Sequence, residues 1–357
     1  MPTVTRLRVL VVGLGNMGLS HARAYAGIDG FELAGLCSRG IADRPEIAHE
    51  FPGVAQYNDY SEALAALRPE AVSINTWPDS HEAYALAAFK AGAHVFLEKP
   101  IAETVAGAER VIAAATAARR KLVIGYILRV HPSWIRFIEV GRTLGKPLVM
   151  RMNLNQQSAG AHWQVHKHLM QTISPIVDCG VHYVDVMCQV TGARPVKVHA
   201  IGARLTDELK PGMYNYGHLH VSFDDGSVGW YEAGWGPMIS EVAFFVKDIV
   251  GPKGCVSIAM DEGKTDSASH DSHTKTSALR LHHAALNADG GFAAPDEIMR
   301  MNDEPGHQEL CEREQRLFLA CIREDRDLAA HHADAISSLR IVLAADESVR
   351  TGEVVRL

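Results

Sequence analysis

The stretch Val9 to Gly18, VLVVGLGNMG, constrains the fold of this chain more than any other. Val9, Leu10, Val11 and Val12 make an apolar, largely β-branched run of the length of one buried strand. Gly13, Gly15 and Gly18 follow at G-x-G-x-x-G spacing, and Leu19 to Ala26 then suits a helix. Each glycine has its own physical reason. Gly13 permits a tight turn, Gly15 lets the backbone approach a pyrophosphate, and Gly18 lets the helix pack closely on the strand. Free N–H groups at the helix start favour an anion. The same spacing also occurs in structural turns. Its position directly after a strand and at a helix start makes it a dinucleotide-binding fingerprint.

The 357 residues suffice for one large or two ordinary domains. A hydrophobic content of 47% with 22% charged residues is that of a globular protein. The net charge of -7 gives no basic field, so neither nucleic acid nor a membrane surface is an expected partner. Cys37, Cys179, Cys188, Cys255, Cys311 and Cys321 form no C-x-x-C pair and lie in apolar segments. They read as reduced core thiols, which points to the cytoplasm. The first apolar run stops at the glycine turn, so neither a signal peptide nor a membrane span is expected. Among the 19 histidines, His218/His220 and His162/His166/His168 are close enough in sequence to chelate. Strand alternation accounts for the first pair, and no Cys/His spacing matches a zinc module, so no metal site is expected.

The first third alternates strand and helix patterns, as in a doubly wound parallel sheet. Phe31–Cys37, Ala71–Asn75, His94–Leu97 and Leu122–Gly125 read as strands. Asp79 and Glu82 have the spacing of a capping box, Gly92 sits where a helix C-cap glycine belongs, and Glu103–Arg119 reads as a long Ala-rich helix. The pattern changes near Gly125–Val130, giving expected domains of 1–127 and 128–357. In the second, Pro132–Arg142 reads as helix, Leu148–Asn155 as extended and residues 156–172 as irregular. Ser174 and Pro175 mark a helix start. Strands then follow at Val196–Arg204, His218–Phe223, Val228–Ala233, Val242–Val250 and Cys255–Ala259, with a tight hairpin at Asp224–Ser227. Leu219, Val221 and Phe223 alternate with His218, His220 and Ser222, so one sheet face is apolar and one polar. The expected second domain is α+β, with a large, mostly antiparallel open sheet. Residues 260–305 read as an irregular excursion, a lid, an oligomer contact or a plain loop. Helices near His307–Arg323 and Ala333–Thr351 close the chain.

Glu98-Lys99-Pro100 follows directly on a strand of the parallel sheet, where ligands of open α/β sheets sit. A lysine there can donate to an oxygen that interconverts between alcohol and carbonyl. The plain alternative is a surface lysine paired with its neighbour. After Pro175, Val177, Val181, Val184 and Cys188 form an apolar stripe, with Asp178, His182, Asp185 and Gln189 one residue on. Asp178 and His182 are one helical turn apart, so the carboxylate could orient the imidazole as a general base. A solvated polar face would show the same pattern.

These motifs together, Gly13-x-Gly15-x-x-Gly18, Trp77-Pro78-x-x-His81, Glu98-Lys99-Pro100 and Asp178-x-x-x-His182-x-x-Asp185, resemble the glucose–fructose oxidoreductase and inositol dehydrogenase family (Gfo/Idh/MocA). The resemblance implies a Rossmann domain, a nicotinamide cofactor and a sugar or cyclic polyol substrate. It implies Lys99, Asp178 and His182 as the catalytic set, with His182 taking the hydroxyl proton, Lys99 polarising the oxygen and Asp178 positioning substrate or base. Cofactor contacts are expected at Gly13, Gly15, Asn16, Met17, Gly18, Ser38, Arg39, Thr76, Trp77, Pro78, His81, Glu98 and Lys99. Substrate contacts are expected at Lys99, Arg129, Trp163, His166, Asp178 and His182. The family's second domain usually builds a homodimer or homotetramer through its open sheet, which fits the apolar face read above. The chain departs from the family where Gln164 follows Trp163 in place of an arginine, in a segment with His162, His166, Lys167 and His168.

An NAD site places an acid at the end of the second strand, about 20 residues past the glycines. Here Cys37-Ser38-Arg39 stands there, with no acid before Asp43. A hydroxyl and a guanidinium suit a 2′-phosphate, hence NADP. Arg39 stacked on the adenine would serve NAD equally. The leading reading is an NAD(P)-dependent sugar or polyol dehydrogenase. An enzyme that retains its nicotinamide for glycoside cleavage or epimerisation, and a non-catalytic dinucleotide-binding regulator, are the alternatives. Intact Lys99, Asp178 and His182 argue against the regulator.

Overall fold

Six short parallel strands carry the dinucleotide fingerprint in the computed structural model, which describes residues 5–240, 246–260, 274, 276–302 and 304–357. The chain forms two units: Met1–Ile127 with Gly306–Ile336, and Leu128–Pro305 with Ser337–Leu357. In the first, β1 (Leu7–Val12), β2 (Phe31–Cys37), β3 (Ala55–Tyr57), β4 (Ala71–Ile74), β5 (His94–Glu98) and β6 (Leu122–Gly125) line up in the order β3-β2-β1-β4-β5-β6. This is a doubly wound sheet whose order reverses between β1 and β4, the place where such sheets bind ligands. Helices α1 (Asn16–Gly27), α2 (Pro45–Glu50), α3 (Tyr60–Leu67), α4 (Pro78–Lys90) and α5 (Val105–Ala118) connect the strands. Val9, Val11, Tyr25, Phe31, Leu36, Phe96 and Val123 form the core. The returning helix His307–Arg323 adds Phe318, Leu319 and Cys321 to it. Each such side chain removed from water contributes roughly 1.5–3 kcal/mol.

Asp79 does not cap α4. Trp77 is the N-cap residue without a side-chain bond and Pro78 takes the first helical position. The fixed φ of proline starts the helix there, and Glu82 instead pairs with Arg110. Gly92 lies one residue beyond the C-cap Ala91 with φ +85°, the left-handed conformation that favours glycine.

The second unit holds α6 (Pro132–Thr143), α7 (Gly160–Leu169), α8 (Pro175–Asp178) and α9 (Gly180–Thr191) over a nine-stranded sheet. Its strands are β7 (Val149–Gln157), β8 (Pro195–Ala203), β9 (Tyr216–Phe223), β10 (Val228–Gly236), β11 (Lys247–Gly251), β12 (Gly254–Ala259), β13 (Ala278–His283), β14 (Glu297–Arg300) and β15 (Val355–Arg356). All neighbouring pairs are antiparallel except β7 with β10. The closing helix Ala329–Thr351 belongs to the first unit up to Ile336 and to the second from Ser337.

Four expectations change here. Residues 156–172 are not irregular throughout, since α7 occupies most of them; its polar, histidine-rich sequence hides the helical period. The helix after Ser174 is two pieces, α8 and α9, joined at Cys179. Gly180 opens the second piece, and a Cβ there would lie 2.8 Å from the Tyr231 ring. The sheet is open as expected, but its apolar face is not the exposed one: Leu219, Val221 and Phe223 are buried within the unit, beneath α8 and α9, and the histidine-bearing face is the outer one. Finally, part of 260–305 extends the sheet as β13 and β14, while 261–273, 275 and 303, like Val242–Phe245 of the expected strand Val242–Val250, lie outside the described residues.

Candidate functional site

At the carboxyl end of β1 the chain turns through Gly13, whose φ is +82° and where a Cβ would lie 2.6 Å from the Asn75 carbonyl oxygen. A Cβ on Gly18 would lie 1.7 Å from the Gly13 carbonyl oxygen, so α1 can pack this closely only as glycine. Nothing lies within 4 Å of the corresponding position at Gly15. Gly15 and Asn16 are exposed, Met17 is half-buried, and the first turn of α1 carries no acid and no capping side chain. This open backbone, with free N–H groups at a helix start, fits a pyrophosphate.

Beyond β2, Ser38 is half-buried and Arg39 exposed, with Gly40 at φ +70° turning the chain behind them. Arg44, which the sequence reading passed over, reaches back so that its Nη1 donates to the Leu14 carbonyl oxygen at 2.7 Å. The glycine turn and the second-strand loop are thus tied together, with two guanidiniums, Arg39 and Arg44, in that loop and the first acid after β2 in sequence, Asp43, exposed.

After β4, Thr76 Oγ1 is 2.6 Å from Ser80 Oγ, and the Trp77 indole is exposed beside Pro78. His81 is fully buried, with Nδ1 2.7 Å from the Pro100 carbonyl oxygen and Nε2 3.0 Å from that of Thr76. Its ring therefore faces backbone rather than an open cofactor surface. Lys99 is half-buried directly after β5, its peptide bond to Pro100 is cis, and its N–H donates to Glu98 Oε2 at 3.3 Å.

Behind β5 lies a buried polar cluster with no local sequence signal. His21 Nε2 is 2.9 Å from Glu98 Oε1, and His21 Nδ1 is 2.9 Å from Gln315 Nε2. His21, Cys311 and Glu314 place one nitrogen, one sulfur and one oxygen within 4.8 Å of one another. Both imidazole nitrogens are already hydrogen-bonded, so the trio reads as polar core rather than as a metal centre. Neither carboxyl oxygen of the buried Glu314 has a hydrogen-bond partner among the described residues. Burial and the neighbouring Glu98 push its pKa well above the ordinary value. The folded protein therefore keeps a proton on Glu314 that the unfolded chain sheds near pH 4.5, and stability falls as pH rises above that point. The slope is at most about 1.4 kcal/mol per pH unit for one proton. Glu314→Gln is expected to flatten this slope, stabilising the protein more at pH 8 than at pH 5. Urea unfolding at both pH values checks it, and parallel slopes in the two proteins would refute the assignment.

In the second unit, Asp178 ends α8 and His182 lies in the first turn of α9, both half-buried above the buried stripe Val177, Val181, Val184 and Cys188. The polar stripe is therefore not a solvated face. Arg129 grips the buried Asp185 in two-pronged fashion, Nε at 2.9 Å and Nη2 at 2.5 Å, and Gln189 donates to the same carboxylate at 2.9 Å. Trp163 is buried, its indole N–H donating to Glu208 at 3.1 Å. His166 stacks on Trp235 at 4.4 Å and bonds Ser158 at 3.0 Å. Lys247, also absent from the sequence reading, is buried over the Tyr183 ring of α9, and burial lowers its pKa to about 7.

The model of an oxidoreductase family with an NAD-binding Rossmann fold matches residues 7–126, and that of the GFO/IDH/MocA C-terminal domain matches residues 138–254. The chain belongs to the Gfo/Idh/MocA family. It is 33% identical over 208 residues to the UDP-N-acetylglucosamine 3-dehydrogenase of Acidithiobacillus ferrooxidans, a match covering 57% of this chain and 60% of that protein. With an inositol 2-dehydrogenase of Acidiphilium cryptum it shares 26% over 265 residues, 71% of this chain and 74% of that one. A Klebsiella pneumoniae inositol 2-dehydrogenase is matched at 29% identity over 51% of this chain and 53% of its own length. Among solved structures, the aldose–aldose oxidoreductase of Caulobacter crescentus superposes with a TM-score of 0.78 at 22% identity, covering 99% of this chain and 100% of that one. At that identity the likeness establishes the fold alone. No helix among the described residues is long and apolar enough to cross a membrane.

Proposed function

We propose that this Gfo/Idh/MocA chain is an NAD(P)-dependent dehydrogenase that moves a hydride between a ring carbinol of a sugar, glycoside or cyclic polyol and nicotinamide. The observation that carries the reading is Lys99, half-buried at the carboxyl end of β5 in the same parallel sheet as the open Gly13–Gly18 turn. The relatives named as sugar and inositol dehydrogenases support the substrate class. A bound nicotinamide would supply the hydride acceptor for the carbinol carbon. The Lys99 ammonium donates to the carbinol oxygen and stabilises the negative charge that develops on it. His182 takes the hydroxyl proton, leaving the carbonyl, and Asp178 positions the base or the substrate. Ser38 and Arg39, with Arg44 behind them, favour NADP over NAD. Assembly as a homodimer or homotetramer through the outer sheet face belongs to the same reading, supported by exposed Val149, Ile201 and Val228 on that face.

The test is nicotinamide reduction with NADP and with NAD across inositols, aldoses, glycosides and sugar acids. Arg39→Ala is expected to lower kcat/KM for NADP about 10-fold or more, as loss of a charged hydrogen bond implies, and to leave NAD turnover nearly unchanged. Equal losses with both cofactors would place Arg39 on the adenine instead. No reduction with any substrate, despite tight cofactor binding, would overturn the dehydrogenase.

A further inference from the structure

Two buried imidazoles hold the Glu98-Lys99-Pro100 tripeptide at its two ends, and neither takes part in the chemistry above. At the Glu98 end, the donor and acceptor roles are settled by chemistry. An amide nitrogen only donates, so Gln315 Nε2 donates to His21 Nδ1, which must carry the lone pair. The ring proton is then on His21 Nε2, which donates to Glu98 Oε1 at 2.9 Å. The Gln315 amide is itself oriented by Tyr25, whose hydroxyl donates to Gln315 Oε1. The donors run in one direction, from Tyr25 through Gln315 and His21 to Glu98, and Glu98 Oε2 accepts from the Lys99 N–H. Three helix-borne side chains from α1 and the returning helix thereby fix the carboxylate that holds the Lys99 backbone.

At the Pro100 end, both His81 nitrogens meet carbonyl oxygens, which only accept. One carbonyl follows Lys99 in the loop after β5. The other belongs to Thr76 in the loop after β4. His81 thus lies between the two loops at the carboxyl ends of neighbouring strands, donating to one of these carbonyls when neutral and to both when protonated. Burial lowers its pKa, while the two carbonyls and Glu98 act in the opposite direction and Lys99 with burial.

We propose that His21 and His81 are positioning residues that pin the backbone on either side of Lys99 and so set where its ammonium meets the substrate oxygen. The proposal rests on the reading of Lys99 given under Proposed function. A lysine stem is long and flexible, so its reach is reproducible only if its Cα is held. An error of about 1 Å in a reacting geometry costs on the order of 100-fold in rate.

Hydrogen exchange and a mutant cycle on the full chain test this. In His21→Ala and His81→Ala, backbone amides of residues 95–103 should exchange faster than in the parent, without any ligand present. Tyr25→Phe, which keeps the packing and removes one hydroxyl, should give the same change at smaller size and serves if an alanine variant fails to fold. Unchanged protection overturns the pinning whatever the activity. For the functional half, kcat is read with NADP and whichever inositol or aldose is turned over fastest. Each alanine substitution should lower kcat by about 10- to 100-fold. In a Lys99→Ala background it should cost nothing more, because its effect runs through Lys99. Losses that multiply in that background overturn the positioning role. If Lys99→Ala itself keeps full turnover, the assignment of Lys99 fails, and the exchange arm still decides whether the histidines pin the tripeptide.

Discussion

Lys99→Ala is expected to lower kcat roughly 10²- to 10³-fold, the cost of removing one donor aimed at a developing oxyanion. The effect should appear in kcat more than in KM. The ammonium gains most when the hydroxyl oxygen carries negative charge, and a group that binds ground and transition states differently acts on kcat. Lys99→Arg should not restore the rate, because a planar guanidinium presents its donors in a fixed fork while an ammonium is a compact charge on a flexible stem. Binding of the dinucleotide should persist in both variants, weakened only by the contact Lys99 itself makes, since the open glycine turn is untouched. Turnover unchanged in Lys99→Ala would remove the lysine from the reaction. Loss confined to KM would make it a substrate anchor only.

The parts of this molecule that are local in sequence were legible and the rest were not. Leu122–Gly125 coincides with β6 because a short buried parallel strand is a continuous apolar run, and Phe31–Cys37 coincides with β2 although it carries the exposed Glu32. The glycine turn was legible because Gly13 and Gly18 each meet backbone at distances that no Cβ tolerates. Asp79 misled because proline at the next helix start outranks a capping pattern. The partners behind Lys99 had no local signal at all: His21 and Gln315 are separated by 294 positions. Glu314, in a helix whose neighbouring residues are largely charged, reads in sequence as one more surface glutamate. Only the fold places it in the core.

The ion pair beneath His182 has the largest expected effect on stability. Asp185 is buried and Arg129 nearly so, joined by two hydrogen bonds. Removing one partner from such a pair leaves the other as an uncompensated charge, at a cost of about 3–5 kcal/mol. Asp185→Ala should lie near the lower end, because some water still reaches the Arg129 guanidinium. A loss of that size lowers Tm by about 10 °C in a unit of this length. Removing both partners is different: Arg129→Met with Asp185→Leu fills the same space without a charge, and such exchanges are often neutral or stabilising. The expected order of stability is therefore the double variant close to the parent, with Asp185→Leu and Arg129→Met alone well below both. Urea unfolding of the four proteins measures the coupling directly. Additive losses would show that the pair is not energetically joined. If the order holds, the retained ion pair serves geometry rather than stability, fixing α9 against Arg129 one helical turn after His182. The double variant should then be folded yet slower in proton abstraction.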